Sequence, residues 1–172
     1  MFKLFGAFFL AVGAAGFSLC ICRDLRRRLV LLKEVKYMYQ LIQNEIRYSA
    51  LPMPQIFENI SDKIKAPLGD MLKSISRRMQ HSQGGILSEI WQQEATLCLS
   101  DVPFTKRQKE GLLRFPECMG MIDGEGQAKA LQHRIEELDG WITGQEKEAD
   151  EKSRVIMSLG IGAGLLLIIV LL

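Results

Sequence analysis

Two blocks of the chain carry almost no polar positions, and nearly all charge lies between them. Phe2 to Cys22 contains one charge, Lys3, and Val155 to Leu172 contains none. Each run approaches the roughly 20 apolar residues that cross a bilayer core. A segment in lipid has to pair its own backbone N–H and C=O groups, so both runs are expected to be helical. The pattern predicts a transmembrane helix over 2–22, a second over 155–172, and a domain over 23–154 between them. A cleaved signal peptide would also explain Lys3 and the small residues Ala14, Ala15 and Gly16. Against that, the apolar run continues through Phe17 to Cys22 and then meets a basic cluster, as a retained helix would.

The middle of the chain reads as helices separated by breakers. From Arg23 to about Ser49, Leu25, Leu29, Leu32, Val35, Tyr39, Ile42 and Ile46 recur at spacings of three and four. Leu31, Tyr37, Met38 and Leu41 widen that stripe beyond a single coiled-coil seam. A helix this apolar packs on two sides. Either both sides are core of its own domain, or one meets a partner.

All five prolines lie in the middle region and punctuate it. Pro52 and Pro54 end the first helix and open the next, because proline lacks the donor a helix interior needs but fits its first turn. Ile56, Phe57, Ile60 and Ile64 stripe that second helix. Pro67 opens a third, with Leu68, Met71, Leu72, Ile75 and Met79. After the break at His81 to Gly85, a fourth helix carries Ile86, Leu87, Ile90, Trp91, Leu97 and Cys98. Ser100 and Pro103 read as the cap and first-turn proline of a short fifth helix ending near Phe115 and Pro116. In the last, Asp123 is the expected N-cap, Glu125 suits the positive helix start, and Ala128, Leu131, Ile135, Leu138 and Ile142 form one stripe.

No breaker separates that last helix from Val155, and Glu148 and Lys152 form a favourable pair on it. No run alternates as a strand would. The fold class expected is all-α: a cytoplasmic bundle of about six helices flanked by an N-terminal and a C-terminal transmembrane helix. Antiparallel packing of the first and last helices would bring the two membrane helices together.

Charge fixes the topology rather than the partner. With 22 basic and 20 acidic residues the balance argues for no polyanion. Pairs such as Arg77-Arg78 and Lys106-Arg107 sit among acids, so no nucleic acid is expected. Arg23, Arg26, Arg27 and Arg28 follow the first apolar run, and Lys147, Lys152 and Arg154 precede the second. The positive-inside rule then puts 23–154 in the cytoplasm and both termini outside. The same arginines could bind anionic membrane lipid.

Chemistry is sparse. The four cysteines, Cys20, Cys22, Cys98 and Cys118, lack CxxC spacing, and His81 and His133 have no partner at ligand spacing. There is no phosphate-binding loop, and the segment from Gly120 to Gln127 follows no strand and lacks the alternating oxygens of a calcium loop. No catalytic residue, metal or cofactor is expected. Gly160 and Gly164, and Ala7, Ala11 and Ala15, place small residues one turn apart, which suits close helix packing or simply faces lipid. For a partner, the expected patch is Met38, Leu41, Glu45 and Tyr48, a carboxylate among apolar residues on one helix face.

Four stretches carry a family resemblance: "MFKLFGA" at the start, "EIRYSALPMP" from Glu45 to Pro54, "GMIDGEGQ" from Gly120 to Gln127, and "SLGIGAGLLLIIVLL" from Ser158 to Leu172. With the double anchor and the length, the chain resembles the stage III sporulation protein AB family of endospore-forming bacteria. It departs in Leu51, where the family usually has threonine, and in the Gly124/Gly126 pair. The resemblance implies a non-enzymatic component of the channel assembled between mother cell and forespore, in the mother-cell membrane. The family is similar to the inner-membrane platform proteins of type II secretion and type IV pilus systems. Implied partners are the sporulation ATPase, stage III sporulation protein AA, and the other stage III A membrane proteins, with a homo-oligomer also possible. Two rival readings remain: a membrane enzyme with an unrecognised site, and a lipid-sensing regulator acting through Arg26 to Arg28.

Overall fold

The computed structural model describes the backbone of residues 2–49, 51–81, 86–121 and 123–171, and side chains over 23–49, 51–81, 86–121, 123–152 and at 155. Among the described residues there are seven helices and no strand: α1 (Phe2–Tyr48), α2 (Met53–Ser61), α3 (Leu68–His81), α4 (Leu87–Leu99), α5 (Lys106–Leu113), α6 (Phe115–Cys118) and α7 (Gly124–Leu171). They group into two compact units. One comprises Val30–Trp141; the other joins Met1–Leu29 to Ile142–Leu172. Residues 23–29 and 142–154, assigned above to the central domain, thus fall in the terminal unit.

Apolar periodicity builds the central unit. Leu32, Val35, Met38, Tyr39 and Ile42 of α1, Ile56, Phe57 and Ile60 of α2, Leu72 and Ile75 of α3, and Leu131, Ile135 and Leu138 of α7 are all buried. At its centre the rings of Trp91 and Phe115 stack at 4.1 Å, with Tyr39 5.3 Å and Phe57 6.2 Å from Phe115. Burying an indole requires a partner for its N–H. Trp91 Nε1 donates to the Leu112 carbonyl at 3.0 Å.

The chain's breaks follow the prolines. Ser49 sits beyond the end of α1, its hydroxyl 2.6 Å from both the carbonyl oxygen and the carboxylate of Glu45. Pro52 is the N-cap of α2 and Pro54 lies in its first turn. The Ala66–Pro67 bond is cis, and α3 begins at the next residue. Within the central unit α1 and α7 run antiparallel: Lys36 meets Asp139 at 2.6 Å, and Gln43 Nε2 donates to the Ala128 carbonyl at 2.8 Å.

Three expectations are corrected. Ser100 and Pro103 do not open α5; Thr105 does, through a capping box with Gln108. The helix also breaks at Arg114, so Phe115 and Pro116 start α6 instead of ending α5. On α4 the inward row is Trp91, Ala95 and Leu99 beside Ile90, while Ile86 and Leu97 are exposed. The spacing of four along 91, 95 and 99 leaves Leu97 on the other side of the helix.

In the terminal unit, Leu25, Ile142 and Gln145 are buried, and Lys152 pairs with Glu148 at 2.6 Å. Among the described residues no helix is long and apolar enough to cross a membrane. The two expected spans, 2–22 and 155–172, lie outside the residues with described side chains, apart from exposed Val155.

Candidate functional site

The expected patch on α1 is only partly a surface. Met38 is fully buried, so it belongs to the core and not to any docking face. The reason is its position four residues before Ile42 and three after Val35, on the inward rows. Leu41 and Glu45 are half-buried, and Tyr48 is 84 % exposed. The structure adds two residues that the sequence reading missed: Val30 and Tyr37, 58 % and 45 % exposed. Their signal was the spacing: 30, 37, 41 and 48 differ by seven, four and seven, which returns to one helix face. This face carries exposed Val30, Tyr37 and Tyr48 and half-buried Leu41, with Glu34 and Asn44 between them.

Charges line its edges. Lys33 and Arg47 are exposed on one side. On the other, Glu34 Oε1 accepts the backbone N–H of Lys65 at 2.9 Å, which sets the exposed Lys65 beside it. Glu45 is an acid on this side, held by Ser49.

Burial, reinforced by Asp70, pushes the Cys98 thiol up to about 11. Burial also raises Cys118, partly offset by Arg134, so both thiols are protonated at neutral pH. Burial raises the Tyr39 phenol well above its ordinary value; its buried hydroxyl has no hydrogen-bond partner among the described residues, and the residue lines a cavity of about 10 Å³ with Leu112, Arg134 and Trp141. Arg134 itself contacts Glu137 at 3.0 Å and Glu117 at 3.3 Å. An open groove of about 500 Å³ between α4, α5 and α6 is lined by Ser88, Gln92, Glu110, Leu113, Arg114, Pro116 and Glu117. Its Arg114 and Glu117 lie 4.0 Å apart as an exposed pair. Among the described residues no three His, Cys, Asp or Glu groups converge as a metal site would.

The Asp123 loop closes on itself. Gly126 N–H donates to Asp123 Oδ2 at 3.2 Å, placing Asp123 as a cap on α7, and Gln127 Nε2 donates to the Met121 carbonyl at 2.9 Å. Arg23, Arg26 and Arg27 are exposed and Arg28 is half-buried. The side chains of Arg154, Gly160, Gly164, Ala7, Ala11 and Ala15 lie outside the described residues.

Comparison with known proteins adds the family. A curated relative, stage III sporulation protein AB of Bacillus subtilis (strain 168), is 23 % identical over 171 residues, covering 99 % of both chains. A solved structure of a stage III sporulation protein AB superposes with a TM-score of 0.65 at 18 % identity, covering 72 % of this chain and 97 % of that one, which shows a shared fold. The family model for stage III sporulation protein AB matches residues 3–172. The chain belongs to the stage III sporulation protein AB family, whose role is in sporulation.

Proposed function

We propose that the chain is a non-enzymatic platform or adaptor subunit of a channel between mother cell and forespore, coupling a cytoplasmic ATPase to membrane components. On this reading it is a two-span protein of the cell membrane with its central domain in the cytoplasm. Its partners are an ATPase like stage III sporulation protein AA, the other stage III A membrane proteins, and further copies of itself. The observation that carries the reading is the exposed apolar face of α1, with Tyr48 84 % exposed beside half-buried Leu41 and Glu45. Large apolar side chains left exposed along one helix face of a folded domain mark a candidate interaction site.

Co-purification tests it. The full chain in detergent should retain the ATPase, and Glu45→Arg should lower retention at least tenfold, because a rim charge turned into a clash costs several kcal/mol. Far-UV dichroism and melting of the variant should match the parent. Failure of the parent chain to retain the ATPase, or full retention by the variant, would contradict the proposal.

A further inference from the structure

Where the first apolar run of α1 ends, the helix turns basic, and on one side. Between Arg23 and Arg28 four arginines stand against one acid, Asp24. Leu25 is buried in the terminal unit and marks the inward side of α1 there. At roughly 100° per residue, Arg23 and Arg27 lie about 160° around the helix from Leu25 and Arg26 about 100°. All three are exposed, and among the described residues none has an ion-pair or hydrogen-bond partner. Arg28 differs: it is half-buried and faces α7. The Glu148 carboxyl of α7 is held below its ordinary range by Lys152 first and by Arg28 as well. Asp24 lies one turn before Arg28, on the same flank.

The acids of α7 do not neutralise the three outward arginines. Glu148 holds Lys152 at 2.6 Å, and Glu146 is engaged too. Asp150 and Glu151 are exposed, turned away from buried Ile142 and Gln145. Packed helices lie roughly 8–10 Å apart axis to axis. Acids on the outer side of α7 are therefore farther from the outer side of α1 than the ~8 Å over which salt screens exposed charge.

Depth and chemistry select the ligand. From Arg23 to Arg27 the helix rises roughly 6 Å, about the thickness of one headgroup layer. A guanidinium fork matches phosphate oxygens with two parallel N–H···O bonds, which an ammonium does not. We infer that Arg23, Arg26 and Arg27 form a phosphate-binding face on α1 that holds the phosphodiester headgroups of anionic phospholipids. This rests on the proposed two-span topology and names the lipid that lies against it. A role in topology alone needs positive charge on this side of the membrane and no bound lipid.

Electron spin resonance of the reconstituted full chain tests it. Phosphatidylcholine vesicles carry a trace of spin-labelled phosphatidylglycerol or spin-labelled phosphatidylcholine, and the immobilised fraction of each is read. Phosphatidylglycerol should be preferred at least tenfold. Arg26→Gln should lower that preference roughly fivefold, the worth of one basic residue beside an anionic surface, and Arg26→Lys should keep most of it. Lys152→Gln, the same charge loss at a similar depth on α7, should change it less than twofold. All three variants should melt as the parent does. Equal immobilisation of the two lipids would overturn the inference, as would equal losses in Arg26→Gln and Lys152→Gln. So would displacement of the lipid by inorganic phosphate at constant ionic strength, which would assign the arginines to a soluble anion. A chain that alkaline carbonate strips from the vesicles would overturn the two-span reading and the inference with it. A chain that stays and shows no preference would overturn the inference alone.

Discussion

At Gly69 the first turn of α3 passes so close to the end of α2 that a β-carbon would lie 2.3 Å from the Ile64 carbonyl oxygen and 2.7 Å from that of Ser61. Both obstacles are backbone, so neither can rotate away. Gly140 is the opposite case: exposed inside α7, with nothing within 4 Å of a β-carbon. The same substitution should therefore have opposite signs. Gly69→Ala should destabilise by about 1–3 kcal/mol, as overpacking does. Gly140→Ala should stabilise by roughly 0.5–1 kcal/mol, because glycine in a helix interior loses more chain entropy than alanine. Thermal unfolding of the full chain followed by dichroism reads both, and equal shifts would contradict the geometry. Neither environment was legible in the sequence, since a glycine's neighbours come from other elements. The burial of Met38 was hidden for a related reason. With Leu41, Met38, Tyr39 and Ile42 adjacent, period alone does not choose which apolar residues of α1 face inward.

Legibility at the level of elements tracked how one-sided each helix is. α7 buries all five of its expected stripe residues, Ala128, Leu131, Ile135 and Leu138 in the central unit and Ile142 in the terminal one. α2 and α3 do nearly as well, with Met79 half-buried. α4 misled because Leu97 and Ile86 are apolar but outward. The start of α5 was misplaced because Pro103 resembles a first-turn proline. The stronger signal was two residues on, where Thr105 Oγ1 accepts the Gln108 N–H at 3.3 Å and Gln108 Oε1 accepts the Thr105 N–H at 2.9 Å. Such a reciprocal box satisfies two donors that a helix start leaves over. Thr105→Ala should cost about 1 kcal/mol, and Thr105→Ser much less. Chemical denaturation of the two variants separates a lost cap from a general tolerance of the site.

For the whole molecule, the sequence carried the all-α class and the family, because helical stripes and whole-length motifs both survive without coordinates. It carried the docking surface less well. Exposure depends on which side of α1 the other helices leave open, and Val30 and Tyr37 became part of that surface only once they did. The proposed role joins a membrane anchor to a docking domain, so its most direct test is whether the chain alone recruits the ATPase to a bilayer. Vesicles reconstituted with the full chain are mixed with a purified stage III sporulation protein AA-type ATPase and floated through a density gradient. The account predicts that the ATPase rises with these vesicles and stays at the bottom with empty ones. An ATPase that remains at the bottom in both gradients, while the chain itself floats, would contradict it.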